Sequence, residues 1–347
     1  MRGSKTNSPE SSEQSEPFGP ATRAVGALNQ VPKLIRQLGA DPVAVLAEAG
    51  LAPEDLAGPS QRVPYQNLMD LFNAAVIRTG CPHFGLLAGG VWRLSDLGPI
   101  GELMRNSRTV GIALEGLVLF QHLNSQGAVA FMLRSNSSVD LGYTFYVPLA
   151  TSTGQFYDAV LAAAINFMRE LVDEEWAPSM VYFPHSAPAD LEPYRQYFQA
   201  ELRFDAATCA LRFSSKYLTR PIVGAQPDLY ERASQRLRAA SRGSFVDMVS
   251  RTLRTLLLHG IASGDIVAET LAMHRRTLSR RLKEEGVTFQ QVLDRVRFSI
   301  AKELLESSTV PPKQIAAFLN FTDTASFFRA FKRWTGTTPG AWREAAH

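Results

Sequence analysis

Hydrophobic residues recur at helical spacing through much of the first two thirds of the chain. The pattern predicts helices over residues 24–38, 41–49, 65–78, 109–124 and 156–172. Asp41 followed by Pro42 is typical of a cap and a first-turn proline, and Gly50 is a natural stop. Pro32 weakens the first helix, because an interior proline costs about 3 kcal/mol.

Shorter apolar runs between these helices predict β-strands. They cover residues 129–133 and 143–147, separated by a turn at 135–138, and residues 180–183. Residues 201–204 and 210–213 are predicted to form a hairpin. Helices and strands are mixed rather than strictly alternating, so residues 21–220 are predicted to form an α+β domain.

The remaining segments complete the predicted domain organisation. Residues 1–20 are rich in Ser, Glu, Pro and Gly and lack the apolar core of a secretory signal, so we predict a disordered tail. Residues 221–243 contain Pro221, Gly224 and Pro227 before a polar, Arg-rich stretch, and they are predicted to be a linker. Residues 244–347 show no convincing strand and are predicted to be all-α.

Two segments of this all-α region resemble each other, starting 48 residues apart at Ala268 and Ala316. In each, the alanine lies six residues before a polar residue that would cap a second helix. Apolar pairs at i,i+4 follow, Leu278 with Leu282 and Phe327 with Phe331. A small residue allows close helix approach, and such a pair holds one face of the second helix inward, which predicts two helix-turn-helix units. A connecting helix over 289–305 would be roughly 25 Å long, comparable with one DNA turn of about 34 Å.

The outward positions of the two second helices are the candidate DNA-binding residues. Arginine suits bidentate contact with guanine, and serine suits any base edge. From Phe245 onward there are 15 Lys and Arg against 10 Asp and Glu, whereas the preceding residues carry 21 against 23. A charged, solvated face is the alternative, and Phe328 either meets thymine methyls or packs on a neighbouring helix. The candidates are Arg275, Arg276, Ser279, Arg280, Lys283, Thr324, Ala325, Phe328, Arg329 and Lys332.

Residues 263–343 resemble the DNA-binding domain of AraC/XylS-family transcription regulators. The resemblance implies seven helices, with the third and sixth in the major groove. It places base reading on Arg276, Ser279 and Arg280, and on Thr324, Ala325, Phe328 and Arg329, the last of which alternatively serves phosphate or a salt bridge. The residues that carry it are Arg276-Thr-Leu278, Arg280-Arg-Leu282, Gly286, Arg297, Ala301, Leu305, Ile315-Ala316, Leu319, Phe321, Phe327, Arg329, Phe331-Lys-Arg-Trp-Thr-Gly336, Pro339 and Arg343.

Three positions depart from that family pattern. Ala272 and Asn320 stand where the family usually has a turn glycine, and Asn adopts a left-handed conformation more readily than Ala does. His274 stands where a serine normally caps the reading helix, which removes a cap worth about 1 kcal/mol. We expect the first helix-turn-helix to be either less stable or differently oriented. An ordinary turn histidine is the simpler interpretation of His274, and a DNA contact is the alternative.

Residues 24–221 resemble the arabinose-binding-type N-terminal domain of ornithine-utilisation regulators, through stretches such as Glu48-Ala-Gly50-Leu51, His83-Phe-Gly-Leu86 and Leu218-Thr-Arg-Pro221. The resemblance implies effector sensing and dimerisation. No residue pattern identifies an effector, and the effector-binding residues are unknown. Aromatic candidates either line a pocket or fill the core, Arg93 and Arg134 either meet a carboxylate ligand or lie at the surface, and the alanines of 159–164 form a dimer seam or an internal helix contact. The aromatic candidates are Phe120, His122, Tyr143, Phe145 and Tyr146.

The sequence gives little support for an enzyme, a metal-binding protein or a membrane protein. Cys81 and Cys209 form no nucleophile signature, and two cysteines fit a reducing cytoplasm rather than a disulfide framework. The six histidines lack metal-site spacing, and Gly85–Gly90 lacks the Lys-Ser/Thr of a phosphate loop. No apolar run approaches the roughly 20 residues that span a bilayer. We therefore expect no enzyme, no cofactor, no bound metal and no membrane association.

Together these patterns predict a cytoplasmic, sequence-specific DNA-binding transcription regulator modulated by a small-molecule effector. The alternative is an effector-independent DNA-binding protein whose N-terminal domain serves only dimerisation or partner docking. The expected partners are double-stranded promoter DNA, a small-molecule effector, a second copy of the chain and RNA polymerase.

Overall fold

A computed structural model describes residues 21–58, 60–135, 137–145, 149–241, 245–258, 262–271, 273–307 and 310–346. The predicted tail at 1–20, the pocket candidate Tyr146 and the turn residue Ala272 lie outside the described residues.

The described strands form two sheets, both in the N-terminal part of the chain. The first has the order β2-β1-β3, and the second has the order β4-β5-β8-β6-β7. Their bounds are β1 (Thr22–Ala24), β2 (Arg62–Pro64), β3 (Ser125–Gln126), β4 (Ala128–Arg134), β5 (Ser138–Phe145), β6 (Met180–Tyr182), β7 (Glu201–Arg203) and β8 (Cys209–Ser214).

Helices cover the sheets and continue beyond them. Asp41 Oδ1 accepts a hydrogen bond from the Val43 amide at 3.1 Å, which confirms the predicted cap and first-turn proline. The helices are α1 (Val31–Gln37), α2 (Pro42–Glu48), α3 (Tyr65–Thr79), α4 (Phe84–Gly90), α5 (Pro99–Arg105), α6 (Val110–Asn124), α7 (Gly154–Leu171), α8 (Glu192–Phe198) and α9 (Pro227–Ala240).

The predicted hairpin of residues 201–204 with 210–213 is wrong. Strand β7 pairs in parallel with β6, and β8 pairs antiparallel with both β5 and β6. Strand β6 therefore lies between the two strands that the sequence places next to each other. The first predicted helix is also shorter than expected: β1 and a 3-10 turn precede α1, and Pro32 lies in the first turn of α1.

The alanine-rich face of α7 packs inside the N-terminal domain rather than at an exposed seam. Ala159 and Ala162 are fully buried, and α4 crosses them closely. A Cβ atom at Gly85 would lie 1.9 Å from the Gln155 carbonyl oxygen, and one at Gly89 would lie 2.0 Å from that of Ala159. Only glycine allows this approach, so the internal helix contact is the correct alternative.

The segment 221–243, predicted to be a linker, contains the helix α9. Its Ala233 and Leu237 are buried in the same hydrophobic cluster as α5, and Arg236 forms an ion pair with Glu102 of α5. The linker prediction is wrong for this helix, because its two apolar anchor positions are difficult to recognise in a sequence that is otherwise polar and rich in arginine.

Beyond Ser241 the regular elements of the described residues are all helices, and these helices enclose a second hydrophobic cluster. There are seven of them among the described residues, in agreement with the family pattern. The helices are α10 (Phe245–Leu258), α11 (Gly264–Thr270), α12 (Arg275–Glu284), α13 (Phe289–Ser307), α14 (Pro312–Phe318), α15 (Thr324–Thr335) and α16 (Pro339–Ala346).

The two clusters meet where α10 and α11 pack against β4. Leu133 at the end of β4 packs on the second cluster rather than the first. His122 Nε2 of α6 lies 2.8 Å from Ser241 Oγ, at the end of α9. The edge strand of the larger sheet is thus covered by the helical domain.

Candidate DNA-binding surface

Helices α11 and α12 form the first helix-turn-helix. Ser263 Oγ caps α11 by accepting a hydrogen bond from the Ile266 amide at 3.2 Å. Leu278 and Leu282 are fully buried, as their i,i+4 spacing predicts. His274 is the N-cap of α12 and makes no capping hydrogen bond through its side chain, also as predicted. One face of α12 is therefore fixed against α11 and the core, and the opposite face is exposed.

Four of the five candidates on α12 lie on that exposed face, namely Arg276, Ser279, Arg280 and Lys283. Arg280 Nη1 lies 3.8 Å from Glu284 Oε1, and both side chains are largely exposed. An exposed ion pair at this distance contributes little free energy, so Arg280 remains available to bind a polyanion.

Arg275 differs from the other candidates because its side chain turns back onto the protein. The guanidinium carbon lies 4.5 Å from the centre of the Phe289 ring, and Nε lies 3.9 Å from Asp265 Oδ1. A Cβ atom at Gly264 would lie 2.2 Å from the guanidinium carbon, so the side chain passes directly over that glycine. The side chain keeps 40% of its surface exposed while it rests on the aromatic ring, so a DNA contact by Arg275 stays a prediction.

Helices α14 and α15 form the second helix-turn-helix. Asp323 caps α15: its Oδ1 accepts from the Ser326 amide at 2.6 Å, and this bond lowers the pKa of the carboxyl below its ordinary value. The cap lies one residue beyond the polar position that the repeat pattern indicates. Phe327 and Phe331 are fully buried, as predicted.

The candidates on α15 lie on its outer side. Ala325, Phe328, Arg329 and Lys332 are exposed, and Thr324 is half-buried at the first position of the helix. Phe328 keeps 36% of its surface exposed while its ring packs edge-on against Phe327, with 5.9 Å between ring centres. Its outer edge is thus open to a ligand. Arg329 Nη2 donates to Ser326 Oγ at 2.9 Å and forms no salt bridge among the described residues.

Helix α13 separates α12 from α15. It has 19 residues, which corresponds to about 28 Å. Arg333 of α15 is tied to it through Asp294 Oδ2 at 2.7 Å. Helix α13 and its ion pair with α15 therefore set the spacing between the exposed faces of α12 and α15.

Positive charge is concentrated on the two reading helices. Helix α12 carries five Lys and Arg against one Glu, and α15 carries three with no acidic residue. Eight of the 15 Lys and Arg beyond Phe245 therefore lie on these two helices. Two of these side chains contact other residues of the chain, which the sequence did not predict. The Arg281 guanidinium carbon lies 5.0 Å from the centre of the Phe245 ring, and Arg333 forms an ion pair with Asp294.

The N-terminal candidates are dispersed. Tyr143 borders an internal cavity, whereas Phe120 and Phe145 are packed in the core and His122 faces the helical domain. Neither arginine proposed for a carboxylate ligand lies at this cavity. Arg134 pairs with Glu115 near α12, and Arg93 is exposed and donates to the carbonyls of Gly90 and Trp92. The buried cation at the cavity is Arg23, which the sequence analysis missed because β1 has only three residues and no periodicity.

The described residues contain no group of three or more His, Cys, Asp or Glu side chains that could hold a metal ion. None of the described helices combines the length and apolar character that crossing a bilayer requires.

Comparison with known proteins agrees with this architecture. Residues 39–222 match the family of the N-terminal arabinose-binding domain of the AraC transcription regulator, and residues 267–345 match a helix-turn-helix domain family. The HTH-type transcriptional regulator VirS of Mycobacterium tuberculosis is 27% identical over 315 residues, covering 89% of this chain and 93% of VirS.

Two proteins of Pseudomonas aeruginosa are similar as well. The ornithine utilization regulator is 27% identical over 316 residues, which cover 90% of this chain and 93% of that protein. The crystal structure of the transcriptional regulator CdpR aligns with 90% of this chain and 97% of its own, at 24% identity and a TM-score of 0.44. Since the first family match spans more than half of the 347 residues, the chain belongs to the AraC family of transcription regulators and is a DNA-binding regulator.

Proposed function

We propose that α12 and α15 enter successive major grooves on one side of promoter DNA. Arg276, Ser279 and Arg280 read bases from α12, and Lys283 and Lys332 neutralise phosphates. Base reading from α15 falls to Thr324, Ala325, Phe328 and Arg329. The observation that carries the proposal is the concentration of outward-facing cations on two helices whose inner faces are fixed by buried pairs.

The N-terminal domain supplies regulation in this proposal. It binds a small-molecule effector in the cytoplasm, joins two copies of the chain, and biases contact with RNA polymerase. We place the functional boundary between residues 241 and 245, because α9 is anchored to the N-terminal core and α10 to the helical one. The alternative is an N-terminal domain that only dimerises or docks a partner.

The base-reading assignment is tested by comparing Arg280→Ala with Lys283→Ala. Bound genomic fragments first define a cognate site, and affinity is then measured on that site and on random DNA over a range of salt concentrations. We expect Arg280→Ala to cost about 1–3 kcal/mol on the cognate site and to relax one base position. Lys283→Ala should weaken binding to both DNAs and reduce the salt slope.

Arg36→Ala, an exposed position on α1, serves as the control for a lost cation and should leave both affinities unchanged. An equal loss on cognate and random DNA for Arg280→Ala would contradict base reading there. An unchanged salt slope for Lys283→Ala would contradict a phosphate contact.

Effector control is separated from the alternative by reciprocity. A metabolite that changes DNA affinity must itself be bound more tightly or more weakly when DNA is present, by the same factor. If no ligand of the N-terminal domain alters DNA affinity, the domain serves dimerisation or docking only.

A further inference from the structure

The N-terminal domain encloses an apolar cavity of about 60 Å³ between α6, α7 and strands β4 and β5. Its walls include Leu117, Leu141, Val160 and Ala164. By volume it has room for about four or five non-hydrogen atoms. The cavity lies inside the domain, apart from the DNA-binding surface.

Arg23 of β1 projects into this cavity from a position that is only 8% exposed. Its guanidinium carbon lies 5.3 Å from the Trp92 ring centre and 5.6 Å from that of Phe156. The guanidinium interacts with the hydroxyl groups of Tyr65 and Tyr143, but no acidic residue in the described part of the chain pairs with it, and its Nε has no hydrogen-bond partner there. A buried cation without an anion is costly, so the site favours a negatively charged occupant.

Two further polar atoms at this cavity lack partners. Five buried side-chain atoms have no hydrogen-bond partner among the described residues, and three of them belong to Arg23, Trp92 and Gln121, which all line this cavity. Arg23 Nε and Trp92 Nε1 are donors, and Gln121 Oε1 is an acceptor. Because buried polar groups are normally paired, their convergence on one space indicates a ligand with both an acceptor and a donor.

A second, wider cavity of about 610 Å³ opens from the same place and shares Arg23, Trp92, Leu97 and Phe167 with the inner one. Arg62 and Arg236 also line it, and Arg236 is paired with Glu102. Asp96 also lines it, and its carboxylate is occupied by the Arg93 amide at 2.8 Å. The wider cavity gives a route from solvent to Arg23.

We propose that Arg23 binds the carboxylate of a small molecule whose short apolar chain fills the inner cavity. The ligand's carboxylate accepts from Arg23 and Trp92, and a hydroxyl or amino group on the ligand donates to Gln121. One guanidinium between aromatic faces matches a monoanion better than a phosphate, whose greater charge calls for more donors. This inference rests on the proposed function, in which the N-terminal domain senses an effector.

The site has two connections to the DNA-binding domain. The wider cavity is bordered by Leu237 and Ala240 near the end of α9. Gln121 lines both the inner cavity and the space between α6, β4 and α10. A ligand held by Arg23 and Gln121 therefore contacts a side chain, Gln121, that also borders the space next to α10.

Calorimetric titration of the full chain tests the site, with butyrate, hexanoate and octanoate compared with hexanamide and hexylamine. We expect binding of carboxylates and little binding of the amide or amine. Arg23→Met should weaken hexanoate binding about 10- to 100-fold, because a charge-assisted hydrogen bond is lost. Arg36→Met, at an exposed arginine, is the matched control and should bind as the unaltered protein does.

Trp92→Phe keeps an aromatic ring and removes the indole N–H donor. This variant tests the site if Arg23→Met does not fold. We expect it to weaken hexanoate binding a few-fold while binding of hexanamide is unchanged. Equal affinities for carboxylate and amide, or no binding of any of the three carboxylates, would overturn the assignment.

DNA affinity measured in parallel keeps the two proposals apart. Carboxylate binding without any change in DNA affinity supports the Arg23 site and contradicts effector control through it. A molecule without a carboxylate could instead control DNA affinity and bind Arg23→Met as tightly as it binds the unaltered protein. That result would overturn the Arg23 site and leave the proposed function standing.

Discussion

Arg297 of α13 shows how one side chain stabilises the turn of the second helix-turn-helix. Its guanidinium lies 4.3 Å from the Phe321 ring centre and donates to the carbonyl oxygens of Leu319, at 2.9 Å, and Asn320, at 2.8 Å. These carbonyls follow the end of α14 and have no partner within that helix. A residue that the family resemblance singles out therefore stabilises the turn between α14 and α15.

Asn320 itself adopts a left-handed conformation, with φ of 56°. Asparagine tolerates this region better than alanine does. We expect Asn320→Ala to lower the free energy of unfolding by about 1 kcal/mol and Asn320→Gly to change it by only a few tenths. Urea unfolding of the full chain, with hydrogen exchange at the α14 and α15 amides, measures both. Equal stability of the two variants would show that the turn places no demand on this position.

At the scale of elements, the two reading helices begin differently. Asp323 makes the capping bond to Ser326 for α15, whereas His274 makes none through its side chain for α12. An uncapped first turn leaves backbone amides to be satisfied by water. Helix α12 is therefore the one whose first turn opens more readily, and that turn carries Arg276.

We expect His274→Ser to stabilise α12 by about 1 kcal/mol, since serine is among the best N-cap residues. Slower hydrogen exchange in the first turn of α12 is the direct measurement. Asp323→Ala is the complementary control and should accelerate exchange in α15 alone. If exchange in α12 is unchanged by the serine, the turn geometry does not allow a side-chain cap.

Local elements followed from the sequence where the determinants are local. The cap at Asp41 and the buried pair Leu278 and Leu282 depend on neighbours a few residues away. The pairing of β7 with β6 was missed because it joins segments that only the completed sheet brings together. Arg23 was missed for a similar reason: its significance comes from Trp92, Phe156 and Gln121, which lie far away in sequence.

At the scale of the whole molecule, the two domains share a contact that bears on DNA binding. The ion pair of Glu115 and Arg134 faces His274 and Arg275, at the start of α12, across a groove of about 570 Å³. Nearby, Leu133 packs on the helical core. The N-terminal domain therefore lies beside the start of α12, so under the proposed function a change in this domain contact is expected to alter DNA binding by α12.

His122 makes this domain contact sensitive to pH. Burial, reinforced by the charge of Arg251 on α10, lowers the pKa of His122 from 6.5 to about 4. Nδ1 lies 3.0 Å from the Leu119 carbonyl oxygen and Nε2 lies 2.8 Å from Ser241 Oγ, so the neutral ring is held by both. Arg251 is the only charged residue among those that line the cavity around His122 in the described structure.

Because the folded pKa is depressed, the contribution of His122 to stability is complete above pH 6.5 and falls as the pH drops toward 4. The loss is about 2 kcal/mol at pH 5 and reaches about 3 kcal/mol below pH 4. His122→Gln keeps hydrogen-bonding groups without titrating, so its melting temperature should fall less between pH 7 and pH 5 than that of the unaltered protein. His274→Gln, at an exposed histidine, should follow the unaltered protein. Limited proteolysis after Ser241 at the same pH values reports whether the lost stability belongs to the domain contact. If the melting temperatures of all three proteins depend on pH in the same way, folding does not lower the pKa of His122.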